Sequence, residues 1–530
     1  MRRWNGWGDD TEVHALPESA LKFLRREIGP GTAPRDASLE EVLLRVPPSR
    51  LPAHPLVSTD PEDRLRHARG QSLPDWIALR SGRIDTYPDG IARPFTGEDV
   101  RNLLDYAKRN WVRVIPYGGG TSVTGHINPL PGAEPILTMD LSRMNRLLLF
   151  DERSHQAVFE AGVAGPDLEA QLRSRGYTLG HYPQSFEYST LGGWIATRSS
   201  GQQSLGFGRI ERLFAGGRLE TPSGTLELPP FPASAAGPDL REAVLGSEGR
   251  FGILTEAVVR VTAIPQTEEF QALFFPDFER GAEAARRILW SGIPLSMLRL
   301  STARETETTL ALAGHEFLIG ALERYLSARG ASRHKCMLLL AASGSERIAR
   351  TARREAMTVA AECGGIPAGK TFGREWHRNR FRTPYLRNAL WEAGYAVDTL
   401  ETAVPWSSVP RMIREIERVL GEAIADRGEK VLFFTHLSHL YPWGSSLYTS
   451  YLFRLAEDPE ETLHRWRLLK DGASRAIVAQ GGTISHQHGV GVDHAPYLPA
   501  EKGALGMAVL GDLCRRFDPS GIMNPGKLIG

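Results

Sequence analysis

The chain has 530 residues, of which 41% are hydrophobic and 24% charged, and this length favours about three domains or one large intertwined body. Its 63 lysines and arginines nearly balance its 62 acidic residues, and a net charge of +1 argues against a nucleic-acid partner, which needs clustered cations. Three widely spaced cysteines favour neither a disulfide framework nor a zinc site. No stretch reads as a signal peptide or a membrane span, so we expect a cytoplasmic protein.

The first two segments of the chain differ in composition and in their predicted secondary structure. Residues 1–89 are rich in arginine and proline and predict a packing extension with short helices at 19–26 and 39–46. Residues 90–265 alternate helices with strands, which is typical of an α+β or α/β unit. In this second segment we predict helices at 97–110 and 165–176, and strands at 112–116, 136–141, 146–150, 156–163 and 251–261.

Residues 266–470 repeat a strand–helix–strand rhythm. We predict strands at 269–275, 295–300, 336–341 and 430–436, and helices at 278–290, 346–363 and 407–427. Two such sets indicate an antiparallel sheet with helices on one face, in a separate domain that would cover a substrate. Residues 471–530 return to glycine-rich and polar sequence and form the last segment.

Glycine and proline, with 54 and 35 residues, exceed their usual share, and glycine concentrates in three clusters. Residues 116–123 (PYGGGTSV) follow a predicted strand, and consecutive glycines let backbone N–H groups converge on an anion. Residues 184–208 interleave small and hydroxyl side chains with aromatic ones, which suits a flat, polar ring system. Residues 246–256 (GSEGRFGILTE) form a tight turn that leads into a strand, with Glu248 at its head.

In order, and with DPSGIMNPGKL at 518–528, these clusters resemble the flavin-binding domain of the vanillyl-alcohol-oxidase / p-cresol-methylhydroxylase (PCMH) flavoproteins. The resemblance implies an α+β fold: a two-subdomain PCMH-type FAD-binding domain at 90–265, an antiparallel-sheet cap at 266–470, and a C-terminal segment at 471–530 that completes the site. It implies FAD, non-covalent because no tethering motif is evident. The implied FAD-binding residues are Pro116, Gly118, Gly119, Gly120, Thr121, Ser122, Val123, Gln184, Ser185, Ser189, Thr190, Gly193, Ala196, Thr197, Arg198, Ser199, Glu248, Gly249, Gly252 and Ile253.

Further segments resemble the alkyldihydroxyacetonephosphate synthase family. Enzymes of this family exchange the acyl chain of acyl-dihydroxyacetone phosphate for a fatty alcohol and so form an ether lipid. The resemblance implies redox-neutral use of FAD, in which a carboxylate leaves the substrate carbon and the alcohol enters. The segments that carry it are RRWNGWGDD at 2–10, MLRL at 297–300, YLRN at 385–388, LETAVPW at 400–406 and TISHQHGVG at 483–491.

The same resemblance assigns candidate catalytic residues. Arg387 and Arg299 match arginines of the family, and a guanidinium suits phosphate or carboxylate because it is always charged and binds in a bidentate manner. Tyr448 aligns with the family's active-site tyrosine. Where the family has three consecutive histidines, residues 486–488 read His-Gln-His, and a glutamine cannot carry a proton at neutral pH. The predicted catalytic residues are Tyr448, His486, Gln487, His488 and Arg387, with Arg387 and Arg299 binding the substrate.

Two other functions remain open. The tail at 518–528 and HGVG at 488–491 also resemble FAD-dependent oxidases or dehydrogenases of D-2-hydroxy acids such as lactate or glycolate. Those enzymes hold a divalent metal with two histidines and a glutamate. Of these three ligands this chain keeps only His436, with Tyr448 and Gln487 at the other two positions, so we expect no metal. The second alternative is a catalytically silent flavoprotein, for which Gln487 leaves room.

The expected partner is a lipid-like small molecule rather than a nucleic acid. A long-chain substrate would bring the protein into peripheral contact with a membrane, although no amphipathic basic helix supports such contact. A homodimer is a further expectation, for which the residues supply no pattern of their own.

Overall fold

The computed structural model describes residues 1–312 and 316–529 of the chain. Its helices are α1 (Glu18–Ile28), α2 (Leu39–Leu43), α3 (Pro61–Arg66), α4 (Leu73–Ser81), α5 (Gly97–Arg109), α6 (Gly165–Arg173), α7 (Leu191–Thr197), α8 (Ser204–Phe207), α9 (Ile210–Leu213), α10 (Leu240–Val244), α11 (Phe278–Trp290), α12 (Ala303–Leu312), α13 (Glu316–Ala328), α14 (Glu346–Glu362), α15 (Thr371–Asn379), α16 (Thr383–Glu392), α17 (Val409–Glu422), α18 (Pro459–Ala479) and α19 (Leu498–Phe517). Its strands are β1 (Val57–Ser58), β2 (Gly90–Ala92), β3 (Arg113–Tyr117), β4 (Ile136–Asp140), β5 (Leu147–Asp151), β6 (Gln156–Glu160), β7 (Tyr177–Thr178), β8 (Phe214–Thr221), β9 (Gly224–Leu228), β10 (Ile253–Arg260), β11 (Thr262–Ala263), β12 (Thr267–Phe275), β13 (Met297–Ser301), β14 (Cys336–Gly344), β15 (Ile366–Pro367), β16 (Tyr395–Pro405), β17 (Leu432–Tyr441) and β18 (Gly444–Arg454). Helices combined with largely antiparallel strands confirm the predicted α+β class.

Local signals account for many of these elements, as helix α5 illustrates. Its first turn carries a capping box, in which the Thr96 side chain accepts from the backbone N–H of Asp99 and the Asp99 carboxylate accepts from that of Thr96. Val100, Leu103 and Ala107 recur at helical spacing and are buried. Short-range patterns of this kind placed α5 and α11 within a residue of the predicted bounds.

Two smaller sheets carry the glycine clusters. A four-stranded sheet has the order β1-β2-β4-β3, with β2, β4 and β3 parallel, and a five-stranded antiparallel sheet has the order β5-β6-β10-β8-β9. The first cluster follows β3 directly, the second contains α7, and the third leads into β10. Each cluster is therefore anchored to a strand or helix at one of its ends.

A third and larger sheet has seven antiparallel strands in the order β15-β12-β14-β13-β17-β18-β16. Side chains alternate between its faces because a strand has a two-residue period. On β14, Leu338 and Leu340 enter a core formed with α11, α14, α17 and α18, whereas Met337 and Leu339 face the other side. This arrangement confirms the predicted antiparallel sheet, one face of which is covered by α11, α14, α17 and α18.

Among the described residues, helices pack against the opposite face of this sheet at its two ends. Leu310 of α12, Leu326 of α13 and Trp376 of α15 pack against one end, and Phe23 of α1 packs against the other. Between them the sheet presents polar side chains to a cavity. The N-terminal segment, predicted to be a packing extension, thus contributes a helix to the cavity side of the sheet.

Several long elements in the C-terminal half were not predicted, namely β16, β18, α18 and α19. Strand β18 (GSSLYTSYLFR) begins with small polar residues, and α19 contains three glycines and a break at Gly503 (φ +67°). Among the described helices none has the length and apolar character needed to cross a membrane. Within the same residues no group of three or more His, Cys, Asp or Glu side chains is arranged to hold a metal ion.

Candidate functional site

A cavity of about 660 Å³ lies between the glycine clusters and the open face of the seven-stranded sheet. Cavities that bind drug-sized ligands and cofactors usually measure roughly 300–1,000 Å³. One wall, which we call the loop wall, is formed by residues from 116–123, 184–200 and 247–254. The opposite wall, which we call the sheet wall, is formed by side chains of β13, β16, β17 and β18 together with α12 and α16.

The loop wall is assembled by close backbone approach between the glycine clusters. A Cβ atom placed on Gly119 would collide with the carbonyl oxygen of Tyr188, and one placed on Gly249 would lie 2.8 Å from Pro116 Cγ. Gly249 also has a φ of +75°, a conformation that favours glycine. These contacts join the three clusters into one surface, and residues with side chains at Gly119 or Gly249 would separate them.

The first cluster offers free donors to a ligand. In the described structure, none of the backbone N–H groups from Gly118 to Val123 donates a hydrogen bond to a protein acceptor. Successive free N–H groups in a turn form a concave binding site for an anion. The cluster therefore fits the pyrophosphate of a dinucleotide such as FAD, which is an anion of the kind that the glycines predict there.

Nearly all of the predicted cofactor residues line the cavity: Pro116, Gly118, Gly119, Gly120, Thr121, Ser122, Val123, Gln184, Ser185, Ser189, Thr190, Gly193, Ala196, Thr197, Ser199, Glu248, Gly249, Gly252 and Ile253. Arg198 is the exception. It ends α7 in the left-handed conformation (φ +54°), and its guanidinium turns to the Glu242 carboxylate and the Leu245 carbonyl. Its side chain therefore stabilises the loop from outside the cavity, which corrects the predicted contact with FAD.

Glu248 joins the loop wall to the C-terminal segment. Its carboxylate accepts hydrogen bonds from the backbone N–H groups of Val490 (2.5 Å) and Gly491 (2.8 Å). The same carboxylate lies 3.2 Å from His126 Nε2, and His126 Nδ1 lies 2.8 Å from Ser122 Oγ. Both ring nitrogens of His126 thus have protein partners, in keeping with a flavin that is not tethered to this histidine.

Tyr448 stands at the centre of the sheet wall. The strand register places Glu401 of β16 and His436 of β17 directly opposite it on either side. The His436 ring stacks on the Tyr448 ring with centroids 5.2 Å apart, and the His488 ring lies edge-on at 5.7 Å. Burial raises the pKa of Tyr448, so its hydroxyl stays protonated at neutral pH and can donate a hydrogen bond to a ligand.

A carboxylate lies behind each of the two histidines. His436 Nδ1 is 3.0 Å from Glu305 Oε1, and His488 Nδ1 is 3.6 Å from Glu401 Oε1. Glu305 also accepts a hydrogen bond from Arg299 Nη2 at 2.5 Å. Burial lowers the pKa of both histidines, so each is neutral at pH 7 and able to accept a proton. Sequence reasoning missed Glu305 as a site residue and considered His436 only as a remnant of a metal site, because only the fold brings α12 and β17 together.

The two arginines predicted to bind substrate have different surroundings. Arg387 stacks on Trp76 at 4.5 Å and donates to the Gln71 carbonyl at 2.6 Å, and no carboxylate lies within salt-bridge distance in the described part of the chain. Arg299, in contrast, is paired with Glu305. Burial lowers the pKa of Arg387, and an anionic ligand would offset this cost of burying a charge. Arg387 is therefore the stronger anion site.

A third arginine in the cavity, Arg380, was not predicted. Its guanidinium stacks on Phe381 at 4.7 Å and on Tyr182 at 5.3 Å, and burial lowers its pKa. It lies in the arginine-rich run HRNRFR at 377–382, where the sequence does not show which arginine turns inward. Besides Arg299, two half-buried arginines from one short stretch of chain, Arg380 and Arg387, therefore line the cavity.

The His-Gln-His segment does not present its three side chains alike. Gln487 and His488 line the cavity, and the amide oxygen of Gln487 has no hydrogen-bond partner within the described residues. His486 lies outside the lining, with its Nε2 2.5 Å from Arg209 Nη1 and 2.7 Å from the Tyr441 hydroxyl. Burial and the Arg209 charge hold the pKa of His486 well below its usual value. His486 is therefore not placed to exchange protons with a substrate, which corrects its predicted role.

One end of the cavity is apolar. Phe23 of α1 packs there with Leu432 of β17 and Leu452 of β18. Strand β17 presents Leu432, Phe434 and His436 in turn to the cavity, so the lining changes from apolar to polar along a single strand. The site can therefore hold a molecule with a long apolar chain and a polar head.

The loop wall and the fold together define an FAD enzyme of the PCMH type. Residues 88–228 match the family described as "FAD binding domain", and residues 264–528 match "FAD linked oxidases, C-terminal domain". The fold is shared with p-cresol methylhydroxylase solved with bound substrate, with a TM-score of 0.67 at 13% identity over 94% of this chain and 98% of that one. The predicted cofactor, non-covalently bound FAD, is confirmed, and its pyrophosphate and ring system fit the loop wall.

Relatives that match the chain over nearly its full length narrow this class of FAD enzymes to one family. The alkyldihydroxyacetonephosphate synthase of Dictyostelium discoideum is 31% identical over 99% of this chain and 93% of its own length. A solved alkyldihydroxyacetonephosphate synthase structure has a TM-score of 0.84 at 30% identity, over 99% of this chain and 98% of that one. The chain belongs to the alkyldihydroxyacetonephosphate synthase family, as the sequence resemblance predicted.

Proposed function

We propose that the protein replaces the acyl chain of acyl-dihydroxyacetone phosphate with a fatty alcohol and so forms an ether bond. The observation that carries this proposal is that one cavity holds a half-buried arginine, Arg387, with no carboxylate partner among the described residues, together with a row of acid–base side chains and an apolar end. The substrate has the matching parts, namely a phosphate, a reactive carbon and a long chain. Bound FAD supplies the nucleophilic centre that lets the two chains exchange without net oxidation or reduction.

The exchange requires three events at the substrate carbon. The bond from this carbon to the ester oxygen breaks, and the fatty acid leaves as a carboxylate with the electron pair. The alcohol oxygen forms a new bond to the same carbon and gives up its proton to a base. The overall reaction is balanced by this proton and needs no electron acceptor.

The phosphate is assigned to Arg387. Its guanidinium is desolvated, held flat against Trp76 and free of a carboxylate partner within the described residues, so a phosphate would gain a strong ionic hydrogen bond there. Arg380 supplies a second half-buried cation in the same cavity. Arg299 acts through Glu305, because its charge is already neutralised by that carboxylate.

Tyr448 is assigned to the leaving group. Its protonated hydroxyl on the sheet wall can donate a hydrogen bond to the ester oxygen as negative charge develops there. The apolar end around Phe23, Leu432 and Leu452 is assigned to the chain of the acyl or alkyl group. Homodimer formation and peripheral membrane contact stay predictions.

The two alternatives from the sequence are not favoured. Relatives that match nearly the full length of the chain are synthases rather than hydroxyacid oxidoreductases. A silent flavoprotein would have no need for two carboxylate-backed histidines beside a buried tyrosine in the cavity. These observations support an enzyme that moves protons at a bound substrate.

The proposal is tested by anaerobic incubation of FAD-loaded protein with acyl-dihydroxyacetone phosphate and a radiolabelled fatty alcohol. We expect labelled ether and an equal amount of released fatty acid, with no added electron acceptor. A parallel reaction contains D-lactate or glycolate with a redox dye. Absence of labelled ether, or dye reduction by the hydroxy acid in its place, would refute the exchange.

A further inference from the structure

We propose that His436, oriented by Glu305, is the general base that takes the hydroxyl proton from the incoming alcohol. The inference rests on the proposed function and deepens it, because it names a group for the one proton that the exchange must move. It also explains how this chain can dispense with a histidine at position 487. Neither His436 nor Glu305 is among the residues that the resemblance to the synthase family singled out.

The first argument is the geometry of the His436 ring. Nδ1 lies 3.0 Å from Glu305 Oε1, which is within ion-pair distance although the contact does not have the geometry of a hydrogen bond. The ring itself lines the cavity, and Nε2 has no hydrogen-bond partner among the described residues. A carboxylate that holds one ring nitrogen leaves the other as a base of fixed direction and stabilises the imidazolium that forms. Although burial raises the pKa of Glu305, His436 and Arg299 hold it below its usual value, so the carboxylate is charged.

The second argument is the direction of strand β17. Leu432, Phe434 and His436 face the cavity at every second position, so they follow one another at roughly 7 Å intervals. An alcohol whose chain lies along Leu432 and Phe434 therefore places its hydroxyl beside His436. The same chain contacts Leu452 on the neighbouring strand β18, which leads to Tyr448.

The other histidines of the site are less suited to this proton. His439 has Nδ1 near Ser438 Oγ (3.2 Å) and Nε2 near the Gly201 carbonyl (3.1 Å), and burial lowers its pKa to about 3. His486 already accepts from a guanidinium. His488 precedes the segment that Glu248 clamps to the loop wall, so it lies on the cofactor side of Tyr448 rather than at the apolar end.

The proposed step conserves atoms and charge. Nε2 of His436 accepts the hydroxyl proton as the alcohol oxygen bonds to the substrate carbon from which the carboxylate has departed. The imidazolium then returns its proton to the released carboxylate or to water. The charged or titratable groups that face His436 are Glu305 from α12, Arg299 from β13, Tyr448 from β18 and His439 from its own strand.

The test compares variants by the pH dependence of ether formation. For the wild type we expect kcat/KM to fall at low pH, below the ordinary histidine pKa of about 6.5, because His436 must be neutral. His436→Gln should lower kcat by about 100-fold or more and lose this acidic limb. Glu305→Gln should lower kcat by about tenfold and move the limb to still lower pH, because the carboxylate raises the pKa of His436.

Two further variants distinguish a loss of catalysis from a loss of folding. His436→Ala should recover part of its activity when imidazole is added, which a merely structural defect would not allow. His334→Gln, at an exposed histidine of the cap sheet region, should behave as wild type. FAD absorbance and thermal unfolding of each variant report whether the fold is intact. If His436→Gln does not fold, the pH profile of Glu305→Gln decides whether His436 is the base.

The outcomes separate this inference from the proposed function. If the wild type forms no ether, the proposed function fails and the assignment of His436 fails with it. If the wild type forms ether but His436→Gln stays within about threefold of it and keeps the acidic limb, only the inference is overturned. An unshifted limb in Glu305→Gln would likewise overturn the role of Glu305.

Discussion

The two walls of the cavity are built by different means. The loop wall offers backbone groups to the cofactor, because its glycines let the backbone segments approach one another closely. Its carboxylate, Glu248, accepts hydrogen bonds from two backbone N–H groups of the C-terminal segment. The sheet wall acts through side chains that strand register sets side by side, with Glu401, Tyr448 and His436 in one row. The comparison indicates that cofactor binding is encoded locally and acid–base chemistry is encoded by the pairing of distant strands.

The largest expected effect is on the loop wall. Gly119→Ala adds a Cβ that collides with the Tyr188 carbonyl and separates the first two clusters, so the purified protein should contain almost no FAD and be inactive. Flavin absorbance at 450 nm relative to protein absorbance measures this. Gly320→Ala is the matched control, because a Cβ there meets nothing within 4 Å. A Gly119→Ala protein with full FAD content would contradict the backbone account of this wall.

The second effect concerns the sheet wall and should leave the cofactor in place. Arg387→Met removes the unpaired cation, and loss of an ionic phosphate contact of about 3 kcal/mol would lower kcat/KM by roughly 100-fold. Arg387→Lys should recover only part of the loss, since an ammonium lacks the bidentate fork. Steady-state kinetics with normal FAD content separates the walls; unchanged kinetics in Arg387→Met would place the phosphate elsewhere.

A third effect arises where the C-terminal segment joins the two walls. Burial, with Asp75 and Asp398 nearby, raises the pKa of Asp493 to about 7, although Lys470 opposes this. Between pH 4 and 7 the folded state therefore binds more protons than the unfolded state, and its stability from this group is lost as pH rises through about 7. Asp493→Asn should raise the free energy of unfolding by about 1–3 kcal/mol at pH 8 and much less at pH 5.

Urea denaturation at the two pH values checks this prediction. The wild type should lose stability between pH 5 and pH 8 relative to Asp493→Asn. An equal difference between the two proteins at both pH values would show that Asp493 does not titrate in this range.

The smallest effect is expected for a histidine that belongs to neither wall. His486→Gln can keep the hydrogen bonds to Arg209 and Tyr441 through its amide, so ether formation should stay within about threefold of wild type. His488→Gln, which changes a cavity residue, should be much more damaging. A severe defect in His486→Gln with normal FAD content would restore the catalytic role that the sequence suggested.

The sequence alone could predict the loop wall. Three consecutive glycines after a strand, and a second glycine-rich run with many hydroxyl side chains, are local signals whose chemistry does not depend on distant residues. The same holds for Arg387 and Tyr448, which are recognised within short motifs. Arg198 was misplaced because a motif does not show whether a side chain at a left-handed helix end turns toward the ligand.

The sheet wall could be predicted only in part. His436 lies opposite Tyr448 because of the pairing of β17 with β18, and a shift of one residue would turn every side chain to the other face. The Glu305–His436 contact joins residues more than a hundred positions apart, and α1 reaches the apolar end from the start of the chain. None of these contacts leaves a pattern in the neighbouring sequence.

The central claim is that both walls together exchange an acyl carboxylate for an alcohol at one substrate carbon. It is tested most directly with ¹⁸O-labelled fatty alcohol and unlabelled acyl-dihydroxyacetone phosphate, without oxygen or any electron acceptor, followed by mass spectrometry of the products. The account predicts an ether that retains the ¹⁸O atom and a released fatty acid that contains none. Ether without the label, label in the fatty acid, or a requirement for an electron acceptor would contradict it.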